Sequence, residues 1–189
     1  MPAHQGLDLE SRRHLLGIAA RSIRHGLEHG KACDVDLDRL PAAFGERRAS
    51  FVTLESDGRL RGCIGSLEAT RPLAADVAHN AHGAAFADPR FPPVREDEIE
   101  GLRIKVSALS PAVPVQAESQ ADLVASLRPG VDGLIIRDGD KRATFLPSVW
   151  QGIPEPERFV RALAKKAGWQ AGHWSDTVRA WRYTTEEFG

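Results

Sequence analysis

Cysteine is nearly missing from this chain. Only Cys33 and Cys63 occur among 189 residues, too few for a disulfide framework and typical of a reducing compartment, so both are read as free thiols. An excess of one charge is missing too: 25 Lys and Arg stand against 26 Asp and Glu, a net charge of -1. That balance offers no global attraction to nucleic acid or to an anionic membrane surface. No run approaches the ~20 apolar residues a bilayer span requires, and Met1 to Asp8 lacks a basic segment followed by an apolar one. These absences predict a cytoplasmic protein without membrane or nucleic-acid contacts. Catalytic templates are equally lacking: there is no phosphate loop, dinucleotide fingerprint, nucleophile-elbow pentapeptide or Cys-x-x-Cys pair. No cofactor and no metal is predicted. What is present is a chain 42% hydrophobic and 27% charged, long enough to bury a sizeable core without cross-links.

Helical spacing of Leu9, Leu16, Ile23 and Leu27, with Gly30 as the stop, predicts a first amphipathic helix. Ser50–Glu55 and Arg59–Leu67 flank Ser56-Asp57-Gly58 and read as a β-hairpin, because Asp-Gly tolerates positive φ. Thr70 is placed as the cap of an Ala-rich helix with Pro72 in its first turn and Leu73, Val77, Ala81 and Ala84 on one face, running to about Ala87. The prolines of Asp88-Pro89-Arg90-Phe91-Pro92-Pro93 then forbid regular helix and predict a stiff loop. Leu102–Leu109 alternates as a strand with one buried face. A helix over Gln120–Leu127, a second hairpin around Asp138-Gly139-Asp140-Lys141, a helix over Pro156–Ala167 and a strand over Val178–Tyr183 complete the reading. Strands that pair locally as hairpins favour an α+β fold over a doubly wound sheet.

The chemistry-bearing candidates concentrate in the middle of the chain. Period-two geometry puts Arg61 and Cys63 on one face of a strand, where a guanidinium favours the nucleophilic thiolate; Gly62 and Gly65 let a ligand or another backbone segment come close. The plainer alternative is a packed thiol with glycines serving sheet packing. His79 and His82 share a helix face with Phe86 between them, a spacing that supplies two metal ligands and no third, or a face partly covered by another element. Asp88 and Arg90 flank Pro89 and either pair with each other or present charge to a ligand, and Arg61 with Arg90 would suit a carboxylate or phosphate if the two converge. The four tryptophans, 150, 169, 174 and 181, read as core or contact residues rather than as a stacking platform.

Leu60-Arg61-Gly62-Cys63-Ile64-Gly65 resembles the signature hexapeptide of the AMMECR domain family. Phe51-Val52-Thr53-Leu54, Asn80-Ala81 with Ala84-Ala85-Phe86, Asp88 to Pro93, Val106-Ser107, Ala143 to Pro147 and Ala167-Gly168-Trp169 follow the family pattern in order, from about Leu9 to Tyr183. The chain looks like a stand-alone bacterial member of the type called AmmeMemoRadiSam system protein A. The resemblance implies a single α+β domain over residues 1–189 with a larger and a smaller lobe, mainly antiparallel or mixed sheet with packed helices, and a cleft at the hexapeptide. It implies association with a Memo-like protein and a radical-SAM protein, and no established reaction. The family motifs carry over Arg61, Gly62, Gly65, Asn80, Asp88, Arg90 and Phe91 as candidate ligand-binding residues, and Cys63 as a candidate nucleophile; His79 and His82 depart from the pattern. Two functions follow as expectations: a ligand- or partner-binding module, or an enzyme using Cys63 on a small anionic substrate.

Overall fold

The computed structural model describes residues 6–189; Met1 to Gln5, part of the stretch read above for a leader, lie outside the described residues. In chain order the elements are α1 (Leu9–His29), α2 (Ala42–Gly45), β1 (Ser50–Ser56), β2 (Arg59–Gly65), α3 (Leu73–Phe86), β3 (Leu102–Leu109), β4 (Val113–Val115), α4 (Gln120–Ser126), β5 (Gly133–Asp138), β6 (Lys141–Phe145), α5 (Pro156–Lys166), β7 (Arg179–Tyr183) and β8 (Thr185–Phe188). Short 3-10 turns lie between some of them, including Glu96–Gly101. They fall into two units, Met1–Ser110 with Glu186–Gly189, and Pro111–Thr185. The α+β class expected from local hairpins is the one observed, and β1 with β2 and β3, β4 with β7, and β5 with β6 and β7 all pair antiparallel.

The first unit is a sheet in the order β2-β1-β3-β8 with helices on one face. Its hairpin turns at Asp57 and Gly58, φ 51° and 72°, a conformation that the Asp-Gly pair accepts at little cost. Ser50, Val52 and Leu54 point into the core, so α3 meets the sheet from that side. Alanines 74, 78, 81, 84 and 85 let α3 come close; a Cβ on Gly62 would stand 2.1 Å from the Ala84 carbonyl oxygen. α1 lies on α3, with the Ser22 hydroxyl donating to the Ala78 carbonyl at 2.7 Å. The buried row of α1 is Leu15, Ile18, Ala19, Ser22, Ile23 and Gly26, whereas Leu9, placed on the apolar stripe by its spacing, is 72% exposed in the first turn. Gly30 ends the helix at φ 70°, as expected.

One further expectation is corrected, and one element is not read from the sequence. α3 starts after Pro72 and not from a Thr70 cap: residues Arg47 and Pro72 bridge, and the Leu73 N–H donates to the Glu46 carbonyl at 2.9 Å, which keeps the preceding residues out of the helix. β8, with the polar sequence Thr185 to Phe188, goes unread in the sequence. It is held beside β3 because Glu186 accepts from the Leu7 N–H at 2.6 Å and from buried Arg48 at 3.1 Å, while Glu187 accepts from Ser107 at 3.1 Å.

The second unit has its own sheet, β4-β7-β5-β6, and its own core. That core is built on stacked aromatic rings where the first, Phe44 apart, is mostly aliphatic: Trp150 stacks on Phe159 at 3.7 Å, and Phe145 meets Phe159 edge-on at 5.3 Å. The Trp150 indole N–H donates to the Asp132 carbonyl at 2.7 Å, which satisfies its polar end. The second hairpin turns at Gly139, φ 56°. α5 closes in a Schellman motif, with Gly168 at φ 74°, its N–H on the Lys165 carbonyl at 3.0 Å and the Trp169 N–H on the Ala164 carbonyl at 3.0 Å. No helix among the described residues is long and apolar enough to cross a membrane.

Candidate functional site

The hexapeptide forms β2, the edge strand of the first sheet, and its two glycines face different neighbours. Gly62 packs on the α3 backbone at Ala84, while a Cβ on Gly65 would sit 2.2 Å from the Phe51 ring. Close approach is what both glycines permit, and a protein segment makes it in each case. The register sets Cys63 opposite Thr53, and Thr53 opposite Lys105 on the far side, one row across three strands. The Thr53 hydroxyl donates to the half-buried Cys63 sulfur at 3.4 Å. Between Leu54 and Glu55 the register shifts, so Gly62 faces Leu54, Leu60 faces Glu55, and Arg61 is left at a β-bulge. A bulge re-aims its side chain, and Arg61 reaches the loop that follows α3.

There Arg61 meets a complete set of acceptors. Its Nε and Nη2 hold both oxygens of Glu98 at 2.7 and 3.1 Å, and Nη1 and Nη2 reach the carbonyls of Pro92 and Pro93 at 3.0 and 3.4 Å. Glu98 also accepts the Arg95 backbone N–H at 2.9 Å. The Arg61 guanidinium, aided by that N–H and opposed by burial, pulls the Glu98 carboxyl down to about 2.

Asp88 is the second clasp. Nearly buried, it accepts the Cys63 N–H at 2.8 Å, the Arg90 N–H at 3.0 Å, and Arg90 Nε and Nη2 at 3.0 and 2.7 Å. The Arg90 hydrogen bonds hold its carboxyl far below the usual carboxylate range against the opposing effect of burial. Arg90 keeps 55% of its side chain exposed, lies 5.5 Å from the centre of the Phe91 ring and reaches the Cys63 carbonyl at 3.4 Å. Loop and strand are thus joined by two arginine–carboxylate pairs, one reaching out from β2 and one reaching in from the loop.

Arg61, Cys63, Asp88, Arg90 and Phe91 are brought together, but the two guanidinia each have a carboxylate of their own. Asn80 is elsewhere, on the helix side of the sheet. Buried with Asp76 and Ser50, its amide donates to the Ser50 carbonyl at 2.9 Å, to Asp76 at 2.9 Å and to the Ser66 hydroxyl at 3.2 Å. Asp76 further accepts Ser50 N–H and hydroxyl, each at 2.8 Å, which pins α3 to the start of β1. His79 is exposed, and His82 packs 5.0 Å from Phe86, both His82 and Phe86 lying against Gly26 of α1. Among the described residues no group of three or more metal-ligating side chains is assembled. Glu98 and Thr53 are the participants that residue reading missed. Counting back from Asp57-Gly58 would have paired Thr53 with Gly62; only the bulge at Arg61 brings Thr53 opposite Cys63, and nothing in the sequence marks Glu98.

Comparison with known proteins places these features in a wider set. The profile of the AMMECR1 family matches residues 16–188. A protein of Methanothermobacter thermautotrophicus is 38% identical over 186 residues, covering 96% of this chain and 95% of that one, and a protein of Thermotoga maritima is 37% identical over 172 residues, covering 90% and 94%. The crystal structure of the uncharacterized protein PH0010 from Pyrococcus horikoshii superposes with a TM-score of 0.86 at 29% identity, covering 96% of this chain and 92% of that one.

Proposed function

The chain belongs to the AMMECR1 family, and from that premise we propose that it is a binding module whose docking surface is the loop Asp88–Pro93 clasped onto β2. Its partners are the Memo-like protein and the radical-SAM protein implied by the resemblance, and its anchors are Arg90 and Phe91. The observation that carries this reading is the double use of Asp88, whose carboxylate grips the Cys63 N–H and the Arg90 side chain together. A loop held from both sides loses little entropy on binding, and arginine and aromatic side chains are enriched at protein interfaces. Arg61 and Glu98 act by holding the loop in place, and Gly62 by letting α3 seat on β2. Any small anion that binds here meets Arg90 first.

Titration calorimetry of the purified chain against the Memo-like and radical-SAM proteins of the same organism tests this. Arg90→Ala is expected to weaken one of the two associations at least tenfold, about 1.4 kcal/mol, with Cys63→Ala unchanged. Equal binding by Arg90→Ala, or no association in any combination, overturns it. A second reading, Cys63 as nucleophile on a small anionic substrate, draws on the Thr53 hydroxyl directed at the sulfur. Alkylation of Cys63 in a Cys33→Ser background separates the two. A fast reaction with apparent pKa well under the ordinary ~8.5 favours the enzyme, and a slow one favours the binding module.

A further inference from the structure

The second unit contains a cavity of about 290 Å³ that no sequence motif announces. One wall is the outer side of α5, with Arg161 and Lys165 one turn apart and Ala164 between them; the floor is Trp169, and Gln120 and Gln170 lie at the rim. The floor is fixed by the Schellman closure of α5, which folds Trp169 back onto Ala164. His173 braces the indole edge-on at 5.2 Å and is itself held by Asp138 at 2.7 Å. The indole is nine-tenths buried and its N–H has no hydrogen-bond partner among the described residues.

Three features define what would fit. Neither Arg161 nor Lys165 has a carboxylate partner among the described residues, in contrast to Arg61, Arg90 and Arg128. The partial negative charge at the end of α5 does not oppose an anion there as bare carbonyls would. The oxygens of Leu163, Ala164 and Lys165 already accept the N–H groups of Ala167, Trp169 and Gly168. The volume is about twice the ~150 Å³ of an engineered apolar cavity that admits benzene, which suits two fused rings. A partly exposed indole, alanine beside it and two cations without a carboxylate partner among the described residues match an apolar body with an anionic end.

We propose that this cavity is a binding site for a bicyclic aromatic carboxylate, packed against the exposed part of Trp169 with its carboxylate at Arg161 and Lys165. The site lies wholly within the second unit and does not depend on the loop surface of the first.

The test uses the full chain labelled with 5-fluorotryptophan, its Trp169 resonance assigned by Trp169→Phe, and titrated with 2-naphthoate while fluorine NMR is recorded. The expected result is a saturable shift confined to the Trp169 signal. The paired change Arg161→Gln with Lys165→Gln, both exposed and free of structural partners, is expected to weaken binding about tenfold, and 2-naphthamide to bind about tenfold more weakly than the acid. Absence of a saturable Trp169 shift up to ~5 mM overturns the site. Equal binding of amide and acid, or an unaffected double variant, overturns the anion assignment. A shift at another tryptophan alone places the probe outside this cavity and also overturns the proposal.

Discussion

Two regions of this molecule carry arginines beside aromatic rings, and they use them in opposite ways. In the first unit Arg61 is only 13% exposed and bound edge to edge with Glu98, and Arg90 is bound edge to edge with Asp88. In the second, Arg161 and Lys165 stand at a cavity with no such counterpart among the described residues. Arginine donors satisfied by carboxylates and backbone carbonyls hold a loop to a strand, and of the two only Arg90 keeps an exposed side to offer a partner. Donors left unpaired beside an apolar wall are available. A cationic cluster therefore cannot be interpreted from its residue types until the acceptors around it have been identified.

The largest expected effect tests the rigid side of this contrast. Gly62→Ala puts a methyl group 2.1 Å from the Ala84 carbonyl, so α3 must leave its seat on β2. A loss of about 3 kcal/mol or more is expected in urea unfolding, whereas Gly152→Ala, with only a Val149 carbonyl 3.8 Å away, changes little. Next in size is the arginine pair. Arg61→Gln strands Glu98 and two loop carbonyls and is expected to cost about 1–3 kcal/mol, against about 0.5 kcal/mol or less for Arg161→Gln. Equal losses for the two would erase the distinction between satisfied and available donors.

The acid limb sharpens the same point. The Glu98 carboxyl sits near 2 in the folded chain against an ordinary 4.5, so its contribution is complete above 4.5 and is lost as pH falls toward 2. Glu98→Gln is expected to flatten stability across that window, measured by urea titration at each pH. The smallest effect concerns His82. Burial, then the neighbouring charges of His79 and His25, lower its pKa from 6.5. The folded state thus resists a proton that the unfolded state accepts, and stability present above 6.5 declines as pH falls through the lowered value. His82→Gln is expected to remove that slope with the fold unchanged by circular dichroism.

Local chemistry was enough to read much of the architecture. Asp57-Gly58, Gly30 and Gly168 mark chain reversals and helix ends because each needs a positive φ that few residues adopt. Leu102 to Leu109 forms the expected strand, but the single buried face implied by a period of two fails in its second half, where Val106, Ser107, Ala108 and Leu109 are all buried. Thr70 misled because a capping residue stabilises a helix only if the backbone around it is free to turn. Here the pairing of Arg47 with Pro72 holds that backbone extended. β8 was hidden for the complementary reason: Thr185 to Phe188 has no strand pattern of its own and takes its conformation from β3 and from Arg48.

At the candidate site, residue types alone pointed to Arg61, Cys63, Asp88 and Arg90, and family resemblance tied them into one pattern. Which of them hold structure and which face outward required the acceptors. Glu98 lies 37 residues from Arg61, Asp88 lies 25 from Cys63, and Thr53 meets the thiol through strand register. The cavity of the second unit could not be read at all, because its floor is a tryptophan folded back by a helix-end motif and its charge is defined by missing partners. The sequence by itself determined the punctuation, the α+β class and the residues able to carry charge. These are properties of a few neighbouring residues, whose φ preferences and periodicity act locally. Tertiary structure alone decided which charges are paired, which glycine touches which neighbour and where an open apolar wall remains, since these depend on contacts between residues tens of positions apart.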